Sequence, residues 1–165
     1  MSQTSYVVDP ALAFRGMLED VNKSRYIRSY ANGDAAAVGF GLLVRADATN
    51  PEEQFQNFSA TSQVPLGVTV HQQAQQDPSL AGTGAVALLE TVGILRQGRI
   101  WVFVEEAISV GDAVFFRHTA GGGGSEIGAF RTDADTATAD QLVQAQWLRG
   151  STPQNVALLE FAIPS

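Results

Sequence analysis

The two histidines of this 165-residue chain, His71 and His118, are its first candidates for catalysis or metal binding. Zinc needs three or four nitrogen, sulfur or oxygen ligands. Because the chain has no cysteine, two histidines could reach that number only with carboxylates such as Glu105 or Asp112. One histidine lies beside a predicted turn and the other at a predicted strand end, where solvated histidines are common. We therefore predict no metal site.

The clustered carboxylates are the second candidate for chemistry. Glu105 and Glu106 are adjacent, so in a strand they point to opposite sides. They cannot converge on one glycosidic bond as the acid and base of a glycosidase do. Asp133, Asp135 and Asp140 could offer oxygens to calcium, but the segment lacks the glycine and glutamate positions of an EF-hand loop. We expect a solvent-facing loop there.

The remaining motifs do not indicate an enzyme either. The glycine run 121–124 is not followed by the Gly-Lys-Ser/Thr of a phosphate-binding loop, so a flexible hairpin tip is predicted. No Gly-x-Ser-x-Gly nucleophile elbow is present. The sequence predicts no catalytic residue and no cofactor.

Composition excludes further classes of function. The formal net charge is −7, with 17 acidic against 10 basic residues. This balance argues against a nucleic-acid groove, which needs clustered Lys and Arg. No apolar run approaches the roughly 20 residues of a membrane span, and the N-terminus lacks the pattern of a secretory signal. We expect a soluble single domain, which at this length buries about 70% of its unfolded surface.

Hydrophobic alternation with a period of two runs through residues 38–44, 64–71 and 100–104, which is typical of strands. Turn signals separate these segments, and no sustained helical period is present. We predict an all-β, single-domain β-barrel or β-sandwich with long surface loops. The polar segment 47–63 is predicted to be one such loop.

The block from Leu95 to Arg117 predicts three short strands, with tight turns at Gln97-Gly98 and Gly111-Asp112. It is rich in aromatic residues, which we expect in the core or at an oligomer interface. An exposed platform that stacks on a sugar is the alternative. The aromatic residues concerned are Trp101, Phe103, Phe115 and Phe116.

Residues 1–30 are predicted to form an extended N-terminal arm, and residues 31–165 the β domain. Phe14, Met17 and Leu18 lie at positions i, i+3 and i+4, so one helical turn would place them on one side. Two interpretations remain open. The triplet packs back onto its own barrel, or it anchors in a groove of a partner.

Several short motifs, in order along the chain, carry a family resemblance. Gly-Arg-Ile-Trp-Val at 98–102 is followed by Gly-Asp-Ala-Val-Phe-Phe at 111–116, and Ala-Phe-Arg-Gly-Met-Leu-Glu-Asp at 13–20 precedes both. Residues 147–150 and 156–161 add two closing strands. Together the motifs resemble those of the structural cement, or head-decoration, proteins of tailed bacteriophages.

The resemblance implies a non-enzymatic virion protein, assembled in the host bacterial cytoplasm, that binds the capsid exterior and stabilises the head lattice. It implies the major capsid protein as partner, a homo-oligomer (dimer or trimer) at local symmetry axes, and neither nucleic acid nor membrane. A carbohydrate-binding or adhesion β-sandwich module is the alternative. The expected capsid-binding residues are Phe14, Arg15, Met17, Leu18, Arg25 and Arg28.

Overall fold

The computed structural model of the protein describes residues 13–19, 25–71, 84–122 and 125–163, which contain twelve strands and no helix. The all-β prediction is thus confirmed. The strands are β1 (Arg25–Asn32), β2 (Val38–Gly39), β3 (Leu43–Ala46), β4 (Gln54–Gln56), β5 (Pro65–Thr69), β6 (Ala85–Val86), β7 (Thr91–Val104), β8 (Phe115–Arg117), β9 (Phe130–Arg131), β10 (Ala139–Gln141), β11 (Ala145–Arg149) and β12 (Asn155–Ala162).

Five of the strands close into a barrel, in the order β1-β4-β3-β5-β7 with β7 returning to β1. The β1–β4 pair is parallel and the other four pairs are antiparallel. Closure pairs both edges of every barrel strand over at least part of its length, which removes the exposed edges that an open sheet would leave. Of the two architectures expected, the barrel is the one observed.

Two apolar clusters hold the molecule together. The inner cluster draws side chains from all five barrel strands. The outer cluster lies between strands β3, β5 and β7 of the barrel and the later strands β8, β9, β11 and β12. Successive residues of a strand point to opposite faces. Ile94 therefore joins the inner cluster while its neighbour Leu95 joins the outer one.

Strand β7 is continuous through Gln97-Gly98, so the tight turn predicted there is wrong. Gln97 pairs with Arg25 of β1 and with Ala162 of β12, and Gly98 pairs with Phe161. Strand partners on two sides thus keep the segment extended, and the glycine absorbs an unusual φ of 143°. The second predicted turn is present, since the Asp112 N–H donates to the Ser109 carbonyl at 3.2 Å.

The segment 47–63 is not wholly a surface loop. It contains β4, which pairs with β1 and β3 and completes the barrel. Phe55 of this strand is buried in the inner cluster, and Phe58 is buried in the outer one. Phe55, isolated among polar residues, was the sequence signal for this strand.

Candidate functional site

Residues 13–19 of the predicted arm lie along β7. The Gly16 N–H donates to the Trp101 carbonyl at 2.8 Å, and the Trp101 N–H donates to the Met17 carbonyl at 2.9 Å. On the other side, the His71 N–H donates to the Gly16 carbonyl at 2.9 Å. This segment therefore bridges the end of β5 and the second half of β7, and its described residues rest on their own barrel.

The arm segment makes a β-turn, so the helical turn considered for Phe14, Met17 and Leu18 is wrong. The Met17 N–H donates to the Phe14 carbonyl at 3.1 Å, and Gly16 has a φ of 76°. A Cβ at Gly16 would lie 2.7 Å from the His71 backbone nitrogen, which explains why glycine occupies this position. Leu18 packs against the outer cluster, whereas Phe14 is 50% exposed.

Arg15 ties the arm segment to the body. Its guanidinium carbon lies 3.4 Å from the centroid of the Phe103 ring, a cation–π contact. Its two terminal nitrogens donate to both carboxylate oxygens of Glu126, at 3.0 and 2.8 Å. The bidentate pair is a strong, directional one. Arg15 thus uses its charge within the protein.

Arg25 and Arg28, the two other predicted arginines, belong to the barrel strand β1 and not to the arm segment 13–19. The backbone of Arg25 pairs with Gln97, and its side chain lies outside the described part of the chain. Arg28 donates to Glu52 at 3.1 Å, and its side chain is 56% exposed. Of the six residues expected to bind a partner, Phe14 and Arg28 therefore have the greatest exposure among those whose side chains are described.

The histidines lie next to strand ends, but they are less solvated than expected. His118 is buried, contrary to the solvated position predicted, and its Nδ1 lies 2.9 Å from the Thr119 Oγ1. His71 is half-buried against the rings of Phe14 and Phe40, and this burial lowers its pKa. Among the described residues, no group of three or more His, Cys, Asp or Glu side chains could hold a metal ion.

A buried charge network was not found by sequence reasoning. Glu105, whose side chain is 6% exposed, accepts from Arg117 at 2.7 Å and from Arg131 at 3.0 Å. Asp135 accepts from the same two arginines at 2.6 and 3.2 Å. Arg117 and Arg131 lie 12 and 26 residues from Glu105 along the chain, so no local motif predicts that they meet it.

The network holds a strained turn. Asp135, Thr136 and Ala137 have positive φ values of 39, 56 and 66°, a conformation that costs L-residues about 1–2 kcal/mol each. The hydrogen bond from Arg117 lowers the pKa of Asp135, and that from Arg131 lowers the pKa of Asp133. These carboxylates are engaged by arginine, which stays protonated, so the cluster fits a structural role and not acid–base catalysis.

The aromatic residues of the central block do not form an exposed platform. Trp101, Phe103 and Phe116 are buried, and Phe115 is half-buried. Trp147 is buried in the outer cluster as well. The prediction of core positions is thus correct for the three buried members of the block.

The described residues contain no helix with the length and apolarity needed to cross a membrane.

Comparison with known proteins assigns the family. Residues 2–162 match the family described as structural cement protein (E217 gp24/Pam3 gp6). The chain is also similar to a chain in the solved structure of the capsid of Myoviridae phage XM1, with 14% identity and a TM-score of 0.74. That likeness covers 98% of this chain and 97% of the other, and it shows a shared fold. None of the curated proteins matches the chain. Because the family match spans nearly the whole sequence, this protein belongs to the structural cement proteins of bacteriophages.

Proposed function

We propose that this protein binds the outer surface of a bacteriophage capsid and stabilises the head lattice. The observation that carries the proposal is the family match over residues 2–162. The fold is consistent with it, because β7 takes part in both apolar clusters and joins the barrel to the later strands. Such a body can bridge neighbouring subunits without bending.

The mechanism is mechanical. Each copy contacts the major capsid protein through a modest interface, and the symmetry of the shell repeats that contact many times. Linked weak contacts then add by multivalency. Association of this chain into a dimer or trimer at local symmetry axes extends the bridge across more capsid subunits.

Within the predicted arm, four of the six predicted residues divide into two roles. Phe14 and Arg28 are exposed enough to reach a partner directly. Arg15 and Leu18 contact the body and position the chain around them. Met17 is adjacent to Leu18 and Arg25 lies three residues before Arg28, and both stay in the proposed contact region.

The carbohydrate-binding alternative is less well supported. A sugar stacks on the exposed face of an aromatic ring, and Trp101 and Trp147 are both buried. A solution of the protein whose tryptophan fluorescence shifts on addition of glycans would favour that alternative over the capsid role.

The test is binding to purified, expanded heads assembled without this protein. We expect the protein to co-sediment with the heads at a saturating, symmetry-related copy number and to raise the temperature at which the shell breaks. An unrelated acidic β-protein of similar size serves as the control. Heads that neither bind the protein nor gain thermal stability would contradict the proposal.

A further inference from the structure

An asparagine–glycine pair, Asn32-Gly33, lies at the end of β1. Of the five asparagines in the chain, Asn32 is the one that glycine follows. In an unfolded chain such a pair deamidates readily, because glycine has no side chain to hinder the approach of its backbone nitrogen to the asparagine amide. Bulkier residues follow the other four asparagines. The chemistry of the chain therefore singles out Asn32 as a modification site.

The side chain of Asn32 is fully buried, and both of its polar atoms are hydrogen-bonded. Its Nδ2 donates to the Val86 carbonyl at 2.8 Å and to the Ala36 carbonyl at 3.0 Å. Its Oδ1 accepts from the Asp34 N–H at 2.8 Å. One primary amide thus ties the segment that leads from β1 to β2 onto strand β6. Loss of either donated bond would leave a buried carbonyl unpaired, which is costly.

The backbone of the pair is held by hydrogen bonds as well. The Asn32 N–H donates to the Glu90 carbonyl, and the Asn32 carbonyl accepts from the Leu89 N–H, both at 2.8 Å. The Gly33 N–H donates to the Phe55 carbonyl of β4 at 2.9 Å. The nitrogen that would have to attack the amide is therefore already bonded. Burial also keeps the site away from the water and base that the reaction needs.

We propose that Asn32 is a deamidation site that the fold protects and that opening of this end of the barrel exposes. Hydroxide takes the proton of the Gly33 N–H, and the nitrogen attacks the side-chain carbon Cγ of Asn32. The new C–N bond closes a cyclic succinimide. Nδ2 takes a proton from water, which regenerates the hydroxide, and leaves as ammonia. Water then opens the ring at either carbonyl and leaves aspartate or isoaspartate at position 32.

The product cannot rebuild the native contacts. A carboxylate has no N–H to donate, so the carbonyls of Val86 and Ala36 would face an oxygen where they now accept hydrogen bonds. Burial of a charge without compensating hydrogen bonds is also unfavourable. Isoaspartate lengthens the backbone and moves the residues after it out of register with β4. A copy that stays open long enough to deamidate is therefore lost from the native state, so its opening becomes irreversible.

Peptide mapping by mass spectrometry tests the site in the full-length protein. The wild type is kept in alkaline buffer with and without denaturant, and Asn57 and Asn155 serve as internal controls because bulky residues follow them. In denaturant we expect Asn32 to deamidate about tenfold or more faster than either control. In native buffer we expect Asn32 to stay intact over the same period. Equal rates at the three asparagines in denaturant, or equal rates at Asn32 in the two buffers, would overturn the proposal.

Asn32→Asp reproduces one of the two products. Asn155→Asp is the matched control, since Asn155 is exposed and its Oδ1 accepts from the Val156 N–H at 2.9 Å, a bond that a carboxylate also accepts. We expect Asn32→Asp to melt far below the wild type or to remain unfolded, because two buried carbonyls lose their donor. Asn155→Asp should melt close to the wild type. Equal melting temperatures for the two variants would overturn the irreversible step.

Gly33→Ala separates deamidation from other causes of irreversible unfolding. The added Cβ would lie 2.9 Å from the Gln54 Oε1, the end of a flexible side chain that can move aside. Wild type and variant are held in alkaline denaturant for increasing times and then refolded, and each yield is divided by its own zero-time value. We expect the wild-type yield to fall in step with deamidation of Asn32 and the variant yield to stay higher. Equal losses would show that another process makes unfolding irreversible and would overturn the proposal.

Discussion

The guanidinium of Arg15 stacks on the ring of Phe103, with 3.4 Å between the guanidinium carbon and the ring centroid. Phe103 belongs to the inner cluster of the barrel, whereas Arg15 belongs to the arm segment that runs along β7. The same guanidinium holds both carboxylate oxygens of Glu126. One side chain thus fastens the arm segment to the barrel and to the chain that leads into β9.

Arg15→Ala is expected to destabilise the protein, because it removes the cation–π contact and the bidentate ion pair together. The side chain is 22% exposed, so we expect a loss of about 1–3 kcal/mol in the free energy of unfolding. Arg28→Ala is the control, since the exposed Arg28–Glu52 pair contributes little to stability. Chemical denaturation measures both. Equal losses for the two variants would show that Arg15 does not fasten the arm.

Leu18→Ala and Phe14→Ala separate a packing role from a partner role within the arm. Leu18 packs against the outer cluster and Phe14 is half exposed. We expect Leu18→Ala to cost about 1–3 kcal/mol, less than the 2–5 kcal/mol of a fully buried leucine. Phe14→Ala should leave the melting temperature almost unchanged and weaken binding to expanded heads. Head binding that is insensitive to Phe14→Ala would remove Phe14 from the proposed contact.

Gly16→Ala is expected to lower the melting temperature for two reasons. The residue has a φ of 76°, and its new Cβ would lie 2.7 Å from the His71 nitrogen. Gly111→Ala is the matched control, because Gly111 has a φ of 100° but no atom within 4 Å of the added Cβ. The difference between the two melting temperatures therefore reports the close approach of the arm segment to the end of β5. Equal melting temperatures would show that this contact is loose.

The Asp133–Asp135 turn is expected to lose its support in acid. Hydrogen bonds from Arg131 and Arg117 hold the pKa values of Asp133 and Asp135 below the ordinary value. A carboxylate with a depressed pKa in the folded state stabilises the fold above its unfolded pKa of about 3.9, and this contribution is lost as the pH falls through the lower folded value. We therefore expect the free energy of unfolding, measured at a series of pH values from 5 downwards, to fall less steeply for the double variant Asp133→Asn/Asp135→Asn than for the wild type. Parallel curves for the two proteins would contradict this account.

The strands could be predicted well where the alternation of apolar and polar residues matches the faces that the tertiary structure buries and exposes. Alternation at 64–71 matches β5, and the last two predicted strands appear as β11 and β12. The prediction of a turn at Gln97-Gly98 was wrong, because glycine permits a turn without requiring one. Hydrogen-bonded neighbours on both sides of β7 decide that the chain stays extended.

The sequence by itself determined the all-β class, the absence of cysteine chemistry and the family, since alternation, composition and ordered motifs are properties of the chain alone. Tertiary structure decided which residues meet. Glu105 finds Arg117 and Arg131 only because β8 and β9 pair beside the end of β7. Arg15 meets Phe103 only because the arm segment pairs with β7. Both depend on strand register, which is set by contacts between residues far apart in the chain and therefore leaves no local pattern to read.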